Sequence, residues 1–176
     1  TIEAGVNVFG KSGTFANLVI TRGSKLIAVG TKSAPIVFSS DDEALDGSGE
    51  WGGLIIHGYA PHNECAEGGS YCDIDSEGES GFAGGYDPDD SSGVLRYVVV
   101  AEGGYEFSTG NEINGISLVG VGSGTEMDYI QVHGNSDDGI EFYGGNVNVK
   151  HGVFTNNNDD SVDWDEGYQG NLQYII

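Results

Sequence analysis

Two acid-rich stretches hold the side chains best suited to chemistry: NSDDGIEFYGGNV at 135–147 and NNDDSVDWDEGYQ at 157–169. Asp137, Asp138 and Glu141 in the first, and Asp159, Asp160, Asp163 and Asp165 in the second, are hard oxygen donors crowded into a short length of chain. Carboxylates brought side by side repel one another. A bound Ca²⁺, which takes about six to eight oxygen ligands, removes that repulsion. These acids are therefore the candidate metal ligands, with Ca²⁺ as the expected cofactor. The competing reading is structural: Asp and Asn occupy tight corners because their side chains bond local backbone and tolerate left-handed φ.

Catalysis by such acids needs further partners. A Ca²⁺-dependent lyase adds an Arg or Lys base, but of Lys11, Arg22, Lys25, Lys32, Arg96 and Lys150 only Lys150 falls within a coil of the acids. An inverting glycosidase sets two carboxyl groups about 6.5–9.5 Å apart. NNNDDSVDWD and KHGVF bear a faint likeness to the Asp pairs and the His-Gly element of polygalacturonases. Here, however, the His-Gly precedes the Asp pair and no Arg-Ile-Lys clamp follows. The Gly-rich GVGSGTEMD at 120–128 has no helical pattern after it to cradle a phosphate. No catalytic residue is assigned.

The elements that position these acids follow from a repeat. A shift of 22 residues lays Ile130 on Gly152, Val132 on Phe154, Ile140 on Val162, Glu141 on Asp163 and Phe142 on Trp164. It also lays Asp137 and Asp138 on Asp159 and Asp160, at one corner. A shift of 24 lays Ile116, Ser117 and Leu118 on Ile140, Glu141 and Phe142. A shift of 62 lays Ile36 and Phe38 on Val98 and Val100, and Leu54 and Ile56 on Ile116 and Leu118. Apolar residues meet apolar ones at period two inside a longer period, which predicts an all-β parallel β-helix with three short strands per coil. A β-sandwich is the rival. Ile130, Val132, Ile140, Phe142, Val162 and Trp164 are expected inside one stack, with Glu141 and Asp163 facing outward. Residues 59–92 form a long acidic insertion holding Cys65 and Cys72, and 102–112 a shorter one.

Composition narrows the partners. Six Lys+Arg against 28 Asp+Glu give a formal charge of −22, which repels nucleic acid and anionic membrane surfaces. No apolar run is long enough to span a bilayer. Cys65 and Cys72 read as a disulfide in an oxidising compartment, with two free thiols as the alternative; His57 and His62 complete no zinc spacing. Tyr86, Tyr105, Tyr143 and Tyr168 lie near turns or insertions and are the candidate surface contacts. His133 and His151 fall on strands with no acid placed beside them by the periodicity, and read as structural.

The runs SGVLRYVVVAEGG, NEINGISLVGVGSGTEMDYIQVHGNSDDGIEFYGGNVNVKHGVFTNNNDDSVDWDEGYQG, TRGSKLIAVGTKSAPIVFSS and WGGLIIHG together resemble secreted or lipid-anchored β-helix proteins of Gram-negative environmental bacteria. That resemblance implies a right-handed parallel β-helix and an extracellular or outer-surface location, and brings no established reaction with it. The chain, 1–176, then reads as a single solenoid domain, a segment of a longer one. The strand-like TIEAGVNVFG and NLQYII at its two ends point to flanking coils or other copies stacked end to end. The expected function is a non-enzymatic module for adhesion or surface assembly, stabilised by calcium. The alternative is a polysaccharide-active or carbohydrate-binding β-helix.

Overall fold

The computed structural model describes residues 1–42, 44–69, 72–75 and 77–176. Its strands are β1 (Asn7–Gly10), β2 (Asn17–Ile20), β3 (Leu26–Val29), β4 (Ile36–Ser40), β5 (Gly53–His57), β6 (Ile74–Asp75), β7 (Phe82–Ala83), β8 (Gly93–Ala101), β9 (Ile116–Val119), β10 (Glu126–His133), β11 (Ile140–Tyr143), β12 (Asn148–Thr155), β13 (Val162–Asp165) and β14 (Leu172–Ile175). Two parallel sheets make the solenoid. The larger runs β1-β4-β8-β10-β12-β14, with β3 also on β8; the smaller runs β13-β11-β9-β5-β2.

Each long strand of the larger sheet is two segments joined by a bend. Tyr97, Tyr129, His151 and Tyr174 all have left-handed φ, between 50° and 61°, at one level of successive coils. β3 therefore pairs with the first half of β8 (Leu26↔Gly93) and β4 with the second (Ile36↔Val98). With the smaller sheet this gives three strand segments per coil, the right-handed parallel β-helix expected from the sequence.

The register agrees residue by residue with the repeat. Ile130 pairs with Gly152, Val132 with Phe154, Ile140 with Val162 and Phe142 with Trp164. Ile116 pairs with Ile140, Ile36 with Val98 and Leu54 with Ile116. Inward residues form the core: Ile36, Phe38, Leu54, Ile56, Ile116 and Phe142 are fully buried. Burying each is worth about 1.5–3 kcal/mol before entropy is counted. The glycine in the Ile130 ladder has a steric reason. A Cβ at Gly152 would lie 2.5 Å from the Phe154 ring, so the missing side chain makes room for that ring.

Trp164 departs from expectation. Its register with Phe142 holds, yet it is 59% exposed. β13 is the edge of the smaller sheet, so only one side of Trp164 is covered, while the Tyr168 ring takes the face of Phe142 at 4.4 Å. Val162, on the same edge, is only half buried.

The long insertion lies against the solenoid. β6 and β7 form a small antiparallel hairpin, and the Cys65–Cys72 disulfide is formed beside it. Arg22 clamps this unit by donating to the carbonyls of Cys72 (2.7 Å) and Gly84 (2.8 Å) and to Asp73 Oδ1 (2.6 Å). His57, held down to about 4 by burial and by the Arg22 charge, is neutral and lies 3.2 Å from the Ser80 hydroxyl. At the other end His62 pairs with Glu166, while its Nδ1 accepts the Glu64 N–H. The imidazole Nε2 is thus the donor to the carboxylate.

Candidate metal centre

The outer face of the smaller sheet carries one row of outward residues, Val19, Ile55, Ser117, Glu141 and Asp163. The row is not uniformly wet. Ile55 and Ser117 are fully buried, and residues 78–81 of the insertion pack on this face, with Gly78 against Ile113 and Gly81 near His57. Glu141 and Asp163 continue the row beyond this cover.

The corners preceding β11 and β13 bring the aspartates to the same place. Strand pairing stacks Asp137-Asp138 over Asp159-Asp160, and two trios result: Asp137, Asp138 and Asp159, and Asp138, Glu141 and Asp163. Within each trio the ligand oxygens lie within 4.8 Å of one another. Asp138 belongs to both and is only 7% exposed; Glu141 is 8% exposed.

Part of this oxygen set is held by the protein itself. Asp138 Oδ1 accepts the Asp160 N–H at 2.8 Å, and Asp163 Oδ1 accepts the Trp164 N–H at 2.7 Å. The Asn114 amide donates to Glu141 Oε2 at 2.5 Å and to the Tyr143 hydroxyl at 3.0 Å. Burial pushes Asp138 up to about 6; the Asp160 N–H opposes that rise, and the charges of Asp137, Asp163 and Asp159 add to it. Asp137 is raised by burial and then by Glu112 and Asp159. Asp165 is raised by burial and by Glu166 and Asp163. The arginines are engaged elsewhere, Arg22 with Asp73 and Arg96 near Asp128.

These groups fit a hard cation. All donors are oxygens, their spacing allows several to reach one ion with metal–oxygen distances of about 2.3–2.6 Å, and a 2+ charge offsets the crowding that raises Asp138. The buried acidic cluster can hold a metal ion.

Of the seven acids singled out in sequence, five meet in these trios. Asp160 contributes its backbone N–H to Asp138 instead of a carboxylate to either trio, and Asp165 lies outside both. Among the tyrosines, Tyr86 is exposed and donates to the Ala66 carbonyl, and Tyr105 is half buried beside Phe15. Tyr143 accepts from Asn114. Tyr168 is half buried: its ring packs on Phe142, its hydroxyl donates to the Val147 carbonyl, and burial pushes its phenol up.

Three arrangements escaped the sequence. Tyr97, Tyr129, His151 and Tyr174 stack into a continuous ladder, with centroids 4.4, 4.4 and 4.9 Å apart. His151, read as lacking an acid, has its Nδ1 2.8 Å from Asp128 Oδ1. Glu102, fully buried, accepts weakly from Ser40, whose hydroxyl also lies 2.5 Å from Glu50. The recurrence of an aromatic ring just after the Arg96, Asp128 and Lys150 level was the available signal for the ladder.

A family model, described as a pectate-lyase-like beta helix domain, matches residues 1–176. Comparison with curated proteins gave no match, and comparison with solved structures gave none. With its register, its two parallel sheets and this match over its whole length, the chain belongs to the pectate-lyase-like β-helix domain family.

Proposed function

We propose that this chain is an extracellular or outer-surface β-helix module for adhesion or surface assembly, that it binds Ca²⁺ at Asp137, Asp138, Glu141, Asp159 and Asp163, and that it works without catalysis. The observation that carries the reading is the pair of carboxylate trios sharing buried Asp138. Stacked acids on successive coils cost stability unless a cation joins them. The Cys65–Cys72 disulfide supports an oxidising compartment, and the likeness to secreted and lipid-anchored β-helix proteins supports the same setting. Partners of this module are other copies or flanking coils end to end, and surface polysaccharide. The test is calorimetric titration of the chelator-treated chain with Ca²⁺. Saturable binding that is lost in Asp138→Asn supports the reading, and the absence of binding heat at millimolar Ca²⁺ rejects it.

A second reading, a polysaccharide-active enzyme, is favoured by one observation. Asp138, raised to about 6 beside other carboxylates, has the separation of acid and base character that glycoside hydrolysis uses. Release of reducing ends, or of unsaturated products, from a polysaccharide panel, abolished by Asp138→Asn, would replace the non-catalytic reading.

A further inference from the structure

Away from the acid trios, three segments far apart in sequence line one open cleft of about 720 Å³, and two of them bring aromatic rings to it. Phe15 comes from the turn before β2, Tyr105 and Phe107 come from the shorter insertion, and Thr14, Ser108 and Glu79 add polar groups to the lining. We infer that this cleft binds an uncharged glycan, and that it is the adhesive site of the module. The inference rests on the adhesion reading above and names its ligand class.

The rings are arranged to leave faces available. Phe15 and Phe107 are 5.1 Å apart and tilted by 38°, and Phe15 and Tyr105 are 6.5 Å apart and tilted by 43°, so none is covered face to face by another. All three are half buried. Phe107 stands on a turn fixed by its own bonds: Phe107 N–H to the Asn111 carbonyl, Asn111 N–H to the Ser108 carbonyl, and Gly110 N–H to Glu106 Oε1. The platform is therefore held in place before any ligand arrives, which limits the ordering cost of binding.

The polar groups suit a ligand that both donates and accepts. Ser108 Oγ accepts from the Asn111 side chain at 3.0 Å, which leaves its proton to donate. Thr14 Oγ1 donates to the Lys11 carbonyl at 2.7 Å, which leaves its oxygen to accept. Glu79 adds a carboxylate acceptor at the wall. Apolar ring faces beside a few hydroxyl-matched groups are what the C–H faces and hydroxyls of a pyranose require.

Charge selects among glycans. The charged residue lining the cleft is Glu79, and the loop that carries Tyr105 and Phe107 also carries Glu106 and Glu112. The neighbouring Lys11 is paired with Asp41. A uronate or sulfated polymer meets Glu79 in the lining and Glu106 and Glu112 beside it, on a chain of net charge −22. A neutral polymer meets no such penalty.

The experiment is native affinity electrophoresis of the full chain, with Ca²⁺ present, in gels cast with galactomannan, xylan, hydroxyethylcellulose or polygalacturonate. Retardation is expected in at least one neutral gel and not in polygalacturonate. Phe107→Ala should weaken it about tenfold, the scale of losing one ring contact. Phe82→Ala, an exposed ring outside the cleft, should leave it unchanged. Melting curves of the same samples check folding, and Tyr105→Leu replaces Phe107→Ala if the latter is destabilised. Mobility unchanged in every neutral gel, equal retardation in the Phe107 and Tyr105 variants, or stronger retardation by polygalacturonate overturns the inference. Ca²⁺-dependent melting, read on the same samples, separates the outcomes. If it persists without glycan binding, only this inference falls; if it is absent too, the reading beneath it falls as well.

Discussion

Replacing Asp138 by Asn should stabilise the metal-free protein relative to wild type and lose that advantage once calcium is bound. Asp138 is 7% exposed, and its carboxyl is raised from 3.8 to about 6 by burial, against the Asp160 N–H and with the charges of Asp137, Asp163 and Asp159. The folded state therefore holds a proton that the unfolded chain has already lost. Metal-free stability falls as pH rises from about 4 to about 6, and by pH 7 the ionised group costs about 3 kcal/mol. Asparagine removes the charge and keeps an Oδ1 acceptor for the Asp160 N–H. In EGTA at pH 7, Asp138→Asn should then melt higher by up to about 6–12 °C, taking about 2–4 °C per kcal/mol for a chain of this size. Near pH 4 the difference should vanish. Ca²⁺ at a hundredfold excess over Kd adds about 2.7 kcal/mol to wild type and little to the variant, so the order of melting temperatures closes or inverts. Differential scanning calorimetry at pH 4 and pH 7, each with EGTA and with Ca²⁺, reads all arms. A variant that melts below wild type in EGTA at pH 7 refutes the burial-and-repulsion argument. An equal Ca²⁺ gain in both proteins removes Asp138 from the site.

Other substitutions test how the solenoid holds its parts. His62→Ala removes a buried donor to the Glu166 carboxylate and should cost about 1.5–3 kcal/mol, with faster proteolysis inside 59–92 as the second readout. Arg22→Lys cannot reproduce the forked contacts to Cys72, Gly84 and Asp73, and should loosen the same segment in hydrogen exchange. In the aromatic ladder, Tyr129→Asn tolerates the left-handed φ but loses two stacked neighbours, a loss of about 1–3 kcal/mol. Tyr129→Val should cost more, because a β-branched residue also strains that backbone.

The inside of this protein was far more legible in sequence than the outside, for a physical reason. Inward positions of a parallel solenoid must repeat, since each packs on its counterpart one coil away. The ladder Leu54–Ile116–Ile140 and the pairs Phe38–Val100 and Val132–Phe154 could therefore be read from shifts of 62, 24 and 22 residues. The stacking of the corner aspartates was legible for the same reason, because they recur with the coil, but which five of the seven acids come together was not. Outward positions answer to whatever lies over them, and the long insertion is aperiodic. Nothing in the repeat says that residues 78–81 pack on the outer face at Ile113 and His57. Yet Ile55 is an apolar residue at an outward position beside His57, and that mismatch with a wetted face was the clue that the face is covered. Backbone bends hide in the same way. Register places Lys150, not His151, opposite Asp128. The left-handed φ at His151 brings its ring into the ladder and its Nδ1 to the Asp128 carboxylate. Four such bends in line turn outward a row of rings that strict alternation would have pointed into the core, so the side chains that a β-helix shows to its surroundings are chosen as much by its corners as by its strands.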